Sequence, residues 1–139
     1  MASYNKFRQF VEDLAKGVHN LSTGALTVAL TATANPPVNT NAVLADLTQI
    51  SYTNLSTRLI STISCVQTAG VLKLLLTDLI LTASGAVATF RYVAIYNDTP
   101  TSPADPLIAW YDYGNDVTLA NGETFTIDFD GANGFLQIA

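Results

Sequence analysis

Two hydrophobic periods divide the chain. Over residues 4–21, Phe7, Phe10, Val11, Leu14, Val18 and Leu21 recur at helical spacing on one face, which predicts an amphipathic α-helix. Ser3 is a suitable N-cap, Glu12 and Lys16 stand i, i+4 on the other side, and Gly17 weakens the last turn. The apolar face has two candidate partners, the chain's own sheet or a neighbouring subunit, because an N-terminal element is free to reach outward.

After Gly24 the period drops to two. Residues 25–32 set Leu26, Val28 and Leu30 against Thr27, Ala29 and Thr31, the alternation of a half-buried strand. Pro36 and Pro37 interrupt it. Residues 41–50 read as a short helix capped by Asn41, with Leu44, Leu47 and Ile50 inward. From about residue 57 the pattern is strands and turns. Segments 57–67 and 71–81 are joined through Ala69–Gly70, and 86–97 follows Ser84–Gly85. The loop 98–106 holds three prolines and two acids and is expected to be exposed. Then come 107–113, a turn at 114–116, a strand at 117–120, the hairpin signal Asn121–Gly122, a strand at 123–129, a turn at 130–134 and a last apolar stretch. The expectation is one mainly β domain over residues 1–139, an antiparallel β-sandwich or jelly-roll-like barrel with an N-terminal amphipathic helix.

Residues 90–114 concentrate six aromatic rings: Phe90, Tyr92, Tyr96, Trp110, Tyr111 and Tyr113. Both faces of the two strands in this stretch carry apolar groups, unlike a sheet with one face in water. One face is expected to be the domain's core and the other to be covered by something else. The residues expected at a subunit contact are Phe7, Phe10, Tyr92, Tyr96, Tyr111 and Tyr113, with the Tyr111/Tyr113 row outward and Trp110 in the core.

Composition sharpens this. Charged residues are 12% of the chain and apolar residues 49%, against a usual charged share of about 25%. Surface so poor in charge fits partial coverage by another protein. All six Lys and Arg fall in the first 91 positions with four acids, while the last 48 hold seven acids and no Lys or Arg. Direct nucleic-acid binding is therefore not expected, because phosphate contacts need clustered cations. The greasiest run, 71–83, is too short to span a membrane and carries Lys73 and Asp78. The first residues lack the order of a secretory signal, so a cytoplasmic product is expected.

Candidate chemistry is sparse. Cys65 is the only cysteine and reads as a strand thiol rather than a nucleophile. His19, the only histidine, is expected near a helix C-terminus. Asp128 and Asp130 resemble the start of a calcium loop, but Ala132 and Ala139 stand where later ligands belong, and a turn capped by aspartates is the expected form. No phosphate loop, zinc motif or nucleophile elbow is present, so no cofactor and no enzymatic activity are expected.

The segments "YNKFRQFVEDLAKGVHNL", "LTVALT", "NAVLADLTQI", "FRYVAIYND", "DPLIAWYDYG", "VTLANGETFTIDFD" and "GFLQI" resemble a group of small virion structural proteins of tailed bacteriophages. The resemblance covers both ends of the chain and less of residues 51–83. It implies a capsid decoration (cement) protein, assembled in the host cytoplasm and bound to the capsid exterior. Its partners would be the major capsid protein and further copies of itself, as a dimer or trimer. The N-terminal helix is not general among such proteins and leaves a neck or tail component as the alternative. A carbohydrate- or receptor-binding module, suggested by Tyr and Trp beside acids, is the alternative of another class.

Overall fold

The computed structural model describes residues 2–139. The chain is mainly β and its strands pair antiparallel throughout. In chain order the elements are β1 (Asn5–Lys6), α1 (Arg8–Ala15), β2 (Leu26–Thr31), a 3-10 turn (Leu44–Asp46), β3 (Thr62–Thr68), β4 (Val71–Leu76) and β5 (Leu79–Thr82). They continue with β6 (Phe90–Asn97), β7 (Leu107–Val117), β8 (Thr124–Ile127) and β9 (Leu136–Ile138). Three sheets form, in the orders β1-β7-β6-β2, β3-β4-β9 and β5-β8.

One apolar cluster joins the three sheets. Leu26, Val28, Phe90 and Ile95 come from the first, Leu74 and Leu136 from the second, and Leu81 and Ile127 from the third. This is the half of each alternating strand that must leave water. The opposite face of the first sheet is also apolar, and the chain itself covers it. Phe7, Ala29, Ala94, Tyr96 and Leu107 form a second cluster, with Leu44, Leu47 and Trp110 packed against it. Segment 42–47 is tied down there by Leu44 N–H to Asp105 C=O (2.9 Å) and Leu107 N–H to Ala42 C=O (3.0 Å). The cover expected from outside is thus an intrachain loop, which the local pattern of residues 41–50 could not assign to any sheet.

The helix expected over 4–21 is confined to Arg8–Ala15. Phe7 takes the N-cap position in an extended conformation and is completely buried, while Asn5 and Lys6 pair with Trp110 and Ala109. Burying one Phe outweighs the few tenths of a kcal/mol of propensity that a further turn offers. At the other end Gly17, with φ +76°, closes a Schellman motif: its N–H bonds Leu14 C=O and Val18 N–H bonds Asp13 C=O. The Glu12–Lys16 pair forms as expected. Residues 41–50 do not form a helix. Asn41 Oδ1 accepts from Val38 N–H, and the Asp46 carboxylate holds the N–H groups of Ala42 and Val43 around one 3-10 turn.

Turn chemistry held at one hairpin and failed at others. Ala69 and Gly70 both have positive φ, 51° and 83°, the backbone of a type I′ turn, and β3 and β4 pair across it. Asn121–Gly122 does turn, with φ +84° at Gly122, but its flanks do not pair with each other. Leu119 C=O bonds Val87 N–H instead, and β8 pairs with β5. The turn expected at 114–116 is absent, because β7 runs through to Val117. The apolar run 71–83 is split at Thr77–Asp78, where Asp78 accepts from Phe129 N–H at 2.8 Å and β4 and β5 part into different sheets.

Candidate functional site

β7 loses its partner on one edge early. β1 covers only Ala109 and Trp110, so the rest of β7 pairs with β6 alone. β8 pairs only with β5. No ladder joins β7 to β8 among the described residues, and side chains fill the seam between them. The result is an open cleft of about 330 Å³, lined by Tyr4, Tyr111, Tyr113, Phe125, Phe129 and Phe135, with Val93 and Ile127 also in the wall. Asp128 and Asp130 also line it.

The rings brace one another edge-to-face. Tyr113 meets Phe125 at 5.1 Å between centroids, Tyr4 meets Phe135 at 5.5 Å and Tyr111 at 6.0 Å, and Phe129 meets Phe135 at 5.8 Å. Such pairs add about 0.5–1.5 kcal/mol each beyond area burial, so the cleft wall is held in shape before any partner arrives. Phe129 and Phe135 are buried, Tyr111 is half-buried, and Tyr113 and Tyr4 remain exposed. Tyr4 is 38% exposed, yet the rings packed on it keep water from its phenol and raise it to about 12, and burial raises the Tyr111 phenol as well, so both are neutral at physiological pH.

Asp130 is ionised and fixed. Its Oδ1 accepts from the backbone N–H of Ala132 and Asn133 at 2.8 Å, and its Oδ2 accepts from Asn133 Nδ2 at 2.9 Å. These bonds hold its pKa below the usual carboxylate value. The loop expected as an aspartate-capped turn is one, with Asp130 as the capping residue. No group of three or more acidic, His or Cys side chains suited to a metal is found among the described residues.

Of the residues expected at a subunit contact, Phe7, Phe10, Tyr92 and Tyr96 are buried within this chain and offer no outward surface as folded. Tyr111 and Tyr113 do come together, at the cleft. The row they form opens beside the main core, and Trp110 lies half-buried on the other face, edge-on to Tyr92 and donating to Asn39 Oδ1 at 3.3 Å. The assignment of Trp110 to the main core is corrected accordingly: it packs on the second cluster, whereas Ile108 belongs to the first. Tyr4, Phe125, Phe129 and Phe135 join the site without a local sequence signal that marks them for it. The common orientation of Phe125 and Phe129 was legible, but not that residue 4 and residue 135 meet.

The remaining chemistry lies apart. His19 is buried, 3.3 Å from Asn97 Nδ2 through its Nδ1 and edge-on to Phe10 at 5.2 Å, and it follows the helix rather than ending it. Burial lowers its pKa, partly offset by Asp13. Cys65 sits half-buried in β3, and burial raises its thiol pKa, which disfavours the nucleophilic thiolate. The two stand on separate segments and share no hydrogen bond. No helix is long and apolar enough to cross a membrane among the described residues. Comparison with protein-family models, curated proteins and solved structures gives no match.

Proposed function

We propose that this chain is a non-enzymatic structural protein of a virus particle. In this reading it is a decoration protein that binds the assembled capsid of a tailed bacteriophage, and its three sheets form a jelly-roll-like sandwich. The observation that carries the reading is the cleft between β7 and β8. It is a braced, aromatic, open surface at a seam that the chain's own backbone does not close. Aromatic rings set in a pocket with a polar rim suit protein contact. The acidic rim at Asp128 and Asp130 suits a capsid segment carrying Lys or Arg. The low charge content and the resemblance to virion structural proteins point the same way.

A neck or tail role drew on a long N-terminal helix, which the eight-residue α1 does not supply. Each bound copy contributes modestly, and many copies together reinforce the shell. Purified protein added to undecorated shells is expected to bind and to raise the shell melting temperature. Tyr113→Ala, at a ring 52% exposed, is expected to weaken that binding while leaving the fold intact. A protein that does not bind such shells at any tested concentration sinks the reading.

A further inference from the structure

Among the described residues, β3 is the longest strand with one edge wholly unpaired. Its seven residues, Thr62–Thr68, pair with β4 on one side, and no backbone bond is made on the other among the described residues. Natural proteins guard such edges with Lys, Pro or a covering loop. Here the sequence "TISCVQT" holds no charge and no proline, and Ile63 and Val66 are 63% and 60% exposed.

Charge selects the occupant. Between Asp46 and Asp78 there is no acidic residue, while Arg58 and Lys73 both lie in that interval. The other open edges are flanked by acids: Glu123 and Asp128 at β8, and Asp112 and Asp116 within β7. Because β3 itself carries no acid, a chain of net charge −5 meets its own copy there with less repulsion than at its acid-flanked edges. A strand edge is also self-complementary about a two-fold axis. We propose that a second copy of this chain docks on the free edge of β3, the two β3 strands pairing antiparallel to continue the β3-β4-β9 sheet across a dimer. Full overlap of the seven residues sets Cys65 opposite the Cys65 of the second copy, and Ser64 opposite Val66 twice. The inference adds a self-contact to the proposed function and does not depend on capsid binding. It is tested with no shell present, so its failure and that of capsid binding are separate results.

Sedimentation at tens of micromolar protein is expected to give a dimer. Paired Cα atoms across such a ladder stand about 4.5–5.5 Å apart, within disulfide reach, so copper–phenanthroline oxidation is expected to cross-link the dimer through Cys65. Ser64→Glu with Val66→Glu sets like charges opposite each other twice and is expected to weaken dimerisation about tenfold or more. Ser64→Lys with Val66→Glu sets opposite charges there and is expected to keep the dimer. In both variants the carboxylate introduced by Val66→Glu faces Lys73 within the chain, which preserves the hairpin, and unchanged thermal unfolding checks this. Ile80→Glu, on exposed β5, is expected to change nothing. A monomeric wild type, a Glu/Glu variant that stays dimeric, a Lys/Glu variant that dissociates with it, or a dimer that does not cross-link through Cys65 overturns the proposal.

Discussion

Phe7 provides the sharpest test of where the N-terminal segment belongs. If it lay on a helix face awaiting a partner, Phe7→Ala would leave monomer stability almost unchanged. The structure places it at the centre of the second cluster with no solvent exposure, against Ala29, Ala94, Tyr96 and Leu107. Its two small neighbours cannot swing in to refill the space, so the cavity stays. Removal of a fully buried Phe side chain costs about 3–5 kcal/mol, transfer and cavity contributions together. Urea unfolding reads this directly, because Trp110, the only tryptophan, packs on the same cluster. With a urea dependence of about 2 kcal/mol per molar, the midpoint should fall by roughly 1.5–2.5 M. Phe7→Leu should lose much less, since most of the volume remains. A Phe7→Ala loss under about 1 kcal/mol, the range of a surface substitution, would refute the placement.

Further outcomes follow from backbone and charge. Gly134 has φ +86°, and a Cβ there would stand 2.8 Å from the Leu74 carbonyl oxygen; Gly134→Ala should therefore cost clearly more than Gly70→Ala, where φ is +83° with open space and the loss is about 1–2 kcal/mol. His19 has a folded pKa below its unfolded value of about 6.5, so the unfolded chain binds the proton first. The stability it contributes is present above that value and should decline as pH falls through the unfolded pKa toward the folded one; the melting-temperature advantage of wild type over His19→Gln should shrink from about pH 7.5 to 5. Spectrophotometric titration should show the Tyr4 phenol ionising near 12 and Tyr111 later, and Tyr111→Phe should remove the latest step. The Arg91–Asp112 pair is bidentate, at 2.8 and 3.1 Å, but partly open to water, so Arg91→Gln should shift thermal unfolding only slightly.

The local pattern marked most of the strands and the apolar face of each alternating one, but not β1 at Asn5–Lys6, and it expected a strand at 117–120 that ends at Val117. Period two marks Leu26, Val28 and Leu30, and these side chains are buried together. The Ala69–Gly70 hairpin was equally legible, because a two-residue turn fixes its own partner. Partners far apart in sequence were not. The Asn121–Gly122 turn formed while β8 went to β5, since pairing is decided by total burial rather than by the nearest neighbour. The doubly apolar stretch 90–113 is covered on both sides, as its pattern implies, but the cover is the chain's own segment around Leu44 and Leu47. An extended pattern states that a face must leave water without stating what displaces the water. The cleft shows the same division. Tyr111 and Tyr113 were visible as an unusual row, whereas Tyr4 and Phe135, from opposite ends of the chain, joined them only through long-range packing. The sequence by itself determined the alternation of the central strands and the Ala69–Gly70 turn, because those depend on neighbours a few residues away, whereas the helix bounds and segment 41–50 did not follow from it. Only the tertiary structure decided which faces meet and which edges stay open, because those depend on the burial available to the whole chain at once.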